Sequence, residues 1–333
     1  MNEIRWGIIG AGDVCEVKSG PAFNKIEHSK LVAVMRRNAT LAEDYAKRHG
    51  VPKWYDDADK LINDAEVNAI YIATPPSSHA EYAKKAAAAG KPIYVEKPMA
   101  TSHADCLTMM AAAKNAGLPL YVAYYRRALP NILAIKKMLL DNIIGEIRFV
   151  DIQLHKPSHK DLGGNFQTND NWRIDPQISG GGYFHDLACH QLDVMDFLLG
   201  PILSASGIAL NQSNEYNAYD LVIGQFQFKS GIPGQGSWCF NCSESAQKEV
   251  TTLYGSKGTI SFPHFGDHSV TVHLDGAASK RHTFTMPINI QFPLIQSVVD
   301  DLRGVGVCAS TGESAARTNQ VMEWIIKNDT INE

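Results

Sequence analysis

Several features that mark other classes of protein are missing from this chain. No apolar run reaches the roughly 18 residues that a membrane-spanning helix requires, and Met1–Arg5 shows no signal-peptide pattern. Lysine and arginine total 31 against 35 aspartates and glutamates, for a formal charge of −4, so no basic excess favours nucleic acid or an anionic membrane. We therefore predict a cytoplasmic protein whose partners are neither membranes nor nucleic acids.

Cysteine is also scarce, with six residues in a chain of 333. In a large chain without a secretory signal, this number favours free thiols over a disulfide framework. Cys239 and Cys242 have the CxxC spacing of a metal or redox pair, but the chain has no second such pair and the segment alternates like a strand. We predict no metal site, with a metal or redox pair as the alternative.

What the chain does have is a change of pattern near Tyr125. Before it, strand and helix signals alternate, which predicts a parallel sheet covered on both faces. From 202 to 285 the pattern is strand-like, with turn signals between strands, which predicts a largely antiparallel sheet with helices on one face. The length fits about two domains. A continuous helix is predicted from about Tyr183 to Leu199.

A glycine turn, Gly10-Ala11-Gly12-Asp13-Val14, directly follows the first predicted strand. Small residues here let backbone N–H groups approach a pyrophosphate at the start of a helix. Cys15 stands where a third glycine is often found. The turn predicts a dinucleotide site, and a merely tight structural turn is the alternative.

Arg36 and Arg37 follow the second predicted strand. An acid about 20 residues past the glycines would accept the ribose hydroxyls of NAD. Guanidinium groups instead suit the 2′-phosphate of NADP through charge-assisted hydrogen bonds. We predict that NADP(H) is favoured and NAD(H) possible, unless both arginines only lie on a solvated helix start.

Two further loops follow predicted strands. Lys97, within Glu96-Lys97-Pro98, lies at the carboxyl end of the strand Pro92–Val95, the edge where open parallel sheets bind ligands. There a lysine can place positive charge beside a reacting oxygen or take part in proton transfer. Thr74-Pro75-Pro76 is stiffened by its prolines and is predicted to form a wall against the nicotinamide. His79 is predicted to join it, with a surface position at a helix start as the alternative.

A second cluster lies on the predicted helix from Tyr183. Asp186 and His190 are four residues apart and Asp193 is three further on, so α-helical spacing places them on one face. A carboxylate one turn from an imidazole can orient it for proton transfer to a substrate hydroxyl. A metal site and an ordinary surface pair are the alternatives. The run Gly180-Gly181-Gly182 just upstream permits close approach and favours the functional interpretation.

The ordered set of these motifs resembles the Gfo/Idh/MocA oxidoreductases, the relatives of glucose–fructose oxidoreductase and inositol dehydrogenase. The resemblance runs over nearly the whole length. It implies an α/β fold, with an N-terminal Rossmann parallel sheet in residues 1–123 and a C-terminal α/β domain with a large, mostly antiparallel sheet in 124–333. It also implies that the last helix can pack back on the first domain, and that a homodimer or homotetramer forms through the open face of the second sheet. The segments that carry it besides the motifs above are Ala73–His79, Arg126-Arg127, Asn171-Trp172-Arg173 and Thr311–Ala315.

The resemblance also implies an activity and a site. The activity is hydride transfer between a nicotinamide cofactor and a secondary alcohol or ketone of a sugar, polyol or related small molecule. The alternatives are an NAD-dependent glycosidase of the same fold and a catalytically silent cofactor-sensing protein. The inositol-type enzymes have an acid near the ribose, where this chain has Arg36.

Residues are assigned to this predicted site in three groups. The catalytic residues are Lys97, Asp186 and His190. The cofactor-binding residues are Gly10, Ala11, Gly12, Asp13, Val14, Arg36, Arg37, Thr74, Pro75, His79, Glu96, Lys97 and Arg126. The substrate-binding residues are Lys97, Tyr125, Trp172, Arg173, Asp186 and His190. For Trp172 and Arg173 the alternatives are a core tryptophan and a surface arginine.

Overall fold

The computed structural model of the protein describes residues 1–157 and 171–327. The chain divides into two compact units, the first built from 1–128 and 287–316, the second from 129–286 and from 317 onward. The domain bounds predicted from the sequence are single continuous segments, whereas each observed unit uses two segments of chain. Residues 158–170, in a polar stretch of the sequence rich in glycine and asparagine, lie outside the described residues.

The first unit contains a six-stranded parallel sheet with the order β3-β2-β1-β4-β5-β6. Apart from the edge strand β3, its strands are almost entirely buried, as expected when helices cover both faces. The strand order reverses between β1 and β4, so their carboxyl ends flank the crevice where such sheets bind ligands. The strands are β1 Ile4–Ile9, β2 Ser29–Met35, β3 Lys53–Tyr55, β4 Ala69–Ile72, β5 Ile93–Val95 and β6 Leu120–Val122.

The second unit contains an eight-stranded sheet with the order β14-β13-β12-β11-β7-β10-β9-β8. Within the described residues β7 and β10 pair in parallel and the other neighbours are antiparallel. The predicted fold class, with a parallel and a mostly antiparallel sheet, is confirmed. The strands are β7 Ile147–Pro157, β8 Ile202–Leu210, β9 Leu221–Phe228, β10 Pro233–Cys242, β11 Lys248–Gly255, β12 Gly258–Phe262, β13 Val270–Leu274 and β14 Lys280–His282.

Short helices connect and cover these strands. Several begin at a side-chain cap: Asn38, for example, accepts a hydrogen bond from the N–H of Leu41 at 3.1 Å. The α-helices of the described residues are α1 Asp13–Val17, α2 Gly20–Phe23, α3 Ala39–His49, α4 Ala58–Ile62, α5 His79–Ala88, α6 His103–Asn115, α7 Pro130–Leu140, α8 Pro176–Ser179, α9 Cys189–Leu199, α10 Phe292–Arg303 and α11 Gly312–Ile326.

The two faces of the second sheet differ, because side chains alternate along each strand. On the inner face, the indole N–H of Trp238 donates to Gln191 of α9 at 2.7 Å, and Ile325 of α11 lies against Gly207 and Gly224. We call the opposite side the outer face. It carries mainly uncharged polar and apolar side chains: Phe149, Asp151, Gln153, His155, Ser206, Ile208, Ile223, Gln225, Gln235, Ser237 and Tyr254.

The predicted continuous α-helix from Tyr183 to Leu199 is wrong in its first part. Phe184–Ala188 forms a π-helical turn, and only Cys189–Leu199 is α-helical. A π turn has i→i+5 hydrogen bonds. The π turn is too short to disturb the spacing of apolar residues from which the helix was predicted. The shared face of Asp186 and His190 therefore no longer follows from their spacing alone.

Candidate active site

In the glycine turn of the first unit, packing requires a glycine at Gly10 but not at Gly12. Gly10 has φ +86°, and a Cβ there would lie 2.6 Å from Thr74 Cγ2 and 2.9 Å from Thr74 N. At Gly12 the nearest atom to an added Cβ is Gly10 O, at 3.8 Å. Gly10 thus allows the loop after β4 to approach, whereas the space over Gly12 is open to a ligand.

The chain enters α1 directly from this turn. As the first helical residues, Asp13 and Val14 have N–H groups with no acceptor inside the helix. The Asp13 side chain is exposed, and Cys15 is fully buried, with burial raising the pKa of its thiol to about 12. The thiol therefore stays neutral and packs where a third glycine is often found. Open space beside free donors fits the pyrophosphate of a dinucleotide.

Arg36 and Arg37 stand directly after β2, as predicted. Arg36 is half-buried and Arg37 exposed. Within residues 1–157 and 171–327, neither guanidinium has a side-chain hydrogen bond or ion pair, so both can meet a ligand. The next polar side chain, Asn38, is occupied in capping α3. The position where an acid would bind ribose hydroxyls thus carries positive charge.

Glu96 has contacts that the sequence did not predict. Its Oε1 accepts hydrogen bonds from the Tyr71 hydroxyl at 2.6 Å and from Gln291 Nε2 at 2.7 Å, and its Oε2 accepts from the Lys97 N–H at 3.1 Å. Burial and the adjacent carboxylate raise the pKa of Tyr71 well above its usual value, so its hydroxyl remains a donor. Glu96 therefore anchors the backbone of Lys97, and its predicted contact with the cofactor remains a prediction.

His79 joins the loops that follow β4 and β5. Its Nε2 lies 2.7 Å from the Thr74 carbonyl oxygen and its Nδ1 lies 3.1 Å from that of Met99. The ring is fully buried, and burial lowers its pKa. The alternative of a surface residue is wrong. The neutral ring can donate to one carbonyl, and its position between both loops holds Thr74 and Pro75 close to the Lys97 segment.

The remaining predicted residues of the first unit follow β5 and β6. Lys97 is half-buried, and its peptide bond to Pro98 is cis. Tyr125 and Arg126 lie on the short 3₁₀ helix Tyr125–Ala128 and are both buried. The Arg126 guanidinium lies 5.0 Å from the centre of the Tyr125 ring, within the range of a cation–π contact. The first unit thus brings the predicted nucleotide residues to one edge of its sheet.

In the second unit, Asp186 is held by an arginine. Arg173 Nε lies 3.3 Å from Asp186 Oδ2, and the same guanidinium lies 4.6 Å from the centre of the Trp172 ring. Trp172 and Arg173 belong to the short 3₁₀ helix Trp172–Ile174, which Asn171 caps. Asn171 Nδ2 donates a hydrogen bond to the Tyr183 hydroxyl at 2.9 Å and so ties this helix to the start of the π turn. Trp172 and Arg173 are both partly buried, so the core tryptophan is not found, and Arg173 is a partly exposed arginine that pairs with Asp186.

His190 lies in the first turn of α9 and is buried, as is Asp193. The neighbouring His185 differs in its environment: burial lowers its pKa to about 4, and an added Cβ at Gly181 would overlap its ring. Gly181 is therefore small because His185 packs over it. His185 is neutral at ordinary pH and serves packing, which leaves His190 as the histidine of this segment suited to proton transfer.

The described residues also bear on two other classes of site, metal centres and membrane spans. Residues 1–157 and 171–327 contain no group of three or more His, Cys, Asp or Glu placed to hold a metal ion. No helix in the same ranges has the length and apolarity needed to cross a bilayer. All six cysteines are free thiols, including Cys239 and Cys242 on β10.

Comparison with known proteins agrees with this geometry. Residues 4–124 match the oxidoreductase family with an NAD-binding Rossmann fold, and residues 132–261 match the GFO/IDH/MocA C-terminal domain. The chain belongs to the Gfo/Idh/MocA family of oxidoreductases. It is thus a member of an enzyme family, and its first half has the dinucleotide-binding fold that the motifs predicted.

Individual relatives are similar over most of the chain. Oxidoreductase P35 of Formosa agariphila is 40% identical over 97% of this chain and 98% of its own length. Trans-1,2-dihydrobenzene-1,2-diol dehydrogenase of Bos taurus is 29% identical over 77% of this chain and 72% of its own. Levoglucosan dehydrogenase, solved in complex with NADH and levoglucosan, has the same fold, with a TM-score of 0.86 at 20% identity over 97% of this chain and 96% of its own.

Proposed function

We propose that this protein transfers a hydride between a nicotinamide dinucleotide and a secondary alcohol or ketone of a sugar, polyol or related small molecule. The observation that carries the proposal is that this family member has Lys97, Asp186 and His190 where the resemblance implies the catalytic residues, together with an open glycine turn over Gly12. The nicotinamide, when bound, supplies the acceptor or donor of the hydride.

The chain's own residues handle the proton and the charge. In the oxidation direction the substrate C–H bond gives up a hydride and its O–H bond gives up a proton, which His190 accepts. Lys97 stabilises the negative charge that develops on the substrate oxygen, an electrostatic effect that grows where water is excluded. Asp186, oriented by Arg173 at 3.3 Å, directs His190 and a substrate hydroxyl.

The substrate class is supported by the relatives. One acts on a 1,2-diol by its name, and another was solved with levoglucosan. Trp172 offers an aromatic surface and Arg173 a charged group beside Asp186, a combination suited to a polyhydroxylated molecule. We keep Tyr125, Trp172 and Arg173 as the proposed substrate-binding residues.

The test is oxidation of NADPH and NADH against a panel of sugars, keto-sugars and dicarbonyl compounds. With cofactor deuterated at the transferred position, the product alcohol should carry deuterium. A glycosidase would instead release sugar with no net change in cofactor. A cofactor-sensing protein would bind the dinucleotide and turn over none of the panel. Either result would refute the proposal.

We propose further that NADPH is the preferred cofactor, bound through Arg36 and Arg37. Replacing Arg36 by Asp should lower kcat/KM for NADPH by about 10- to 100-fold, because a charge-assisted hydrogen bond to phosphate contributes about 1.5–3 kcal/mol. Catalytic efficiency with NADH should fall much less or rise. The measurement is steady-state kinetics with both cofactors.

Arg148→Asp is the matched control for this substitution. Arg148 is an exposed arginine of the second unit whose ion pair with Glu146 lies at the surface, so its loss should leave the cofactor ratio unchanged. A wild-type enzyme that prefers NADH, or an Arg36→Asp variant with an unchanged ratio, would contradict the NADP assignment.

We also propose that two copies pair through the outer face. It carries exposed Ile208 and Ile223, a stacked aromatic pair of Phe149 and Tyr254 at 4.1 Å, and a groove of about 410 Å³ that includes Asp151 in its wall. Charged side chains are few there, which is typical of the core of an interface. A homodimer or homotetramer would cover this surface.

Replacing Ile223 by Glu should dissociate this assembly, because a buried unpaired charge is costly. We expect a loss of about 2–4 kcal/mol in association free energy, as at an interface hot spot. Light scattering coupled to size exclusion measures the mass. Leu140→Glu, at an exposed position at the end of α7, should keep the wild-type mass. A monomeric wild type would refute the proposal.

A further inference from the structure

The turn between β12 and β13, residues 263–269, brings an aromatic ring against His190. The Phe265 and His190 ring centres are 5.9 Å apart, with an angle of 76° between the planes. This edge-to-face arrangement is a favourable one for aromatic rings. His190 is buried and Phe265 only half-buried, so the contact covers one side of the imidazole.

The backbone of Phe265 is held from the neighbouring strand. Glu249 of β11 accepts the N–H of His264 on Oε1 at 2.6 Å and the N–H of Phe265 on Oε2 at 3.1 Å. Both carboxylate oxygens are thus used on two consecutive backbone donors. Such charge-assisted bonds are stronger than neutral ones. The position of the Phe265 Cα is therefore fixed relative to the sheet.

The far end of the same turn is fixed independently. Asp267 accepts hydrogen bonds from the Ser269 N–H at 3.0 Å and the Ser269 hydroxyl at 2.9 Å, and it pairs with the guanidinium of Arg281. Between the two anchors Gly266 has φ +73°, a conformation that favours glycine. Anchors on both sides limit how far Phe265 can move.

We propose that Phe265 is a positioning residue for the reaction. Its ring restricts the imidazole of His190 to one rotamer and keeps water from that side of it, and Glu249 acts through the backbone of Phe265. The proposal rests on the proton-transfer role proposed above for His190. Displacing a catalytic group lowers the reaction rate far more than it weakens substrate binding, since reactivity changes steeply with small displacements.

The test compares Phe265→Leu with Phe265→Tyr. Leucine keeps an apolar side chain but removes the ring, and kcat should fall about 10-fold with KM within about threefold. Tyrosine keeps the ring and should restore kcat to within about threefold of wild type. The matched control is Phe226→Leu, which removes a buried ring of the same sheet that pairs edge-to-face with Phe228. This control should lower Tm yet leave kcat per folded molecule unchanged.

Two further measurements separate positioning from simple stability. The pH profile of kcat and the NMR resonances of the His190 ring in the resting enzyme, assigned by their loss in His190→Asn, should both shift in Phe265→Leu and not in Phe226→Leu. In the double variant Phe265→Leu/Glu249→Ala, the loss of kcat should be smaller than the product of the two single-variant losses, because both substitutions disturb the same contact.

Wild-type kcat, pH profile and His190 resonances in Phe265→Leu would overturn the inference. That outcome differs from failure of the proposed function, in which His190→Asn itself would retain activity. The NMR readout remains informative in either case, because it requires no turnover.

Discussion

Replacing Lys97 by Met is expected to reduce turnover by about 10³-fold or more. Removing a single group that stabilises an oxyanion commonly costs about 10²–10³ in kcat. A lysine at this edge of the sheet adds a full positive charge. Methionine approximates the length of the lysine stem, so packing at the end of β5 should change little. Single-turnover measurement of NADPH oxidation with a reactive substrate gives the rate.

Cofactor affinity separates this effect from misfolding. Glu96 accepts a hydrogen bond from the backbone N–H of Lys97, which the substitution leaves in place, so the Lys97→Met loop should keep its shape and bind NADPH within about threefold of wild type. Lys91→Met is the control, since Lys91 precedes the same strand and its ammonium donates to the Asp64 carbonyl oxygen at 2.8 Å. A Lys97→Met enzyme of normal rate would remove Lys97 from the mechanism.

Replacing His190 by Asn is expected to lower kcat by about 10²–10⁴-fold, the range that a positioned acid or base contributes. Asparagine keeps a polar side chain but cannot exchange a proton near neutral pH. In the wild type, alcohol oxidation should slow as pH falls, because protonated His190 cannot accept the hydroxyl proton. Ketone reduction should slow as pH rises, because neutral His190 cannot donate one. In His190→Asn both dependences should flatten.

The control for this substitution is an exposed histidine that has no proposed role in the reaction. His273 lies on β13 with an exposed side chain that bonds Ser279 at 3.0 Å, and His273→Asn should keep both rate and pH profile. If His190→Asn retained the acidic limb of the oxidation profile, another group would have to be the base.

Much of the fold followed from local pattern. The alternation of buried strands with helices predicted the parallel sheet, because both faces of such a sheet must be covered. The strand-like segments separated by turn signals after residue 202 predicted the antiparallel one. Lys97 could be placed at the ligand edge for the same reason, since the carboxyl ends of parallel strands share one side of the sheet.

The sequence predicted less of the site wherever contacts between distant parts of the chain decide its structure. Glu96 was assigned to the cofactor, yet its carboxylate is shared by Tyr71 and Gln291, the latter far along the chain. The local signal for this contact was the Tyr71 hydroxyl, a polar group within an apolar strand that needs a buried acceptor. His79 was predicted to join the Thr74–Pro76 wall, with a surface position at a helix start as the alternative, and it is a buried link between two loops.

By itself the sequence determined the class of fold, the family and the residue types available for chemistry, because periodicity, glycine turns and motif order are local properties. The tertiary structure decided what those residues touch. It paired Asp186 with Arg173, wound Phe184–Ala188 as a π turn and set Phe265 beside His190. The Asp186–Arg173 and Phe265–His190 contacts join separate elements of the chain, so they arise only when those elements pack.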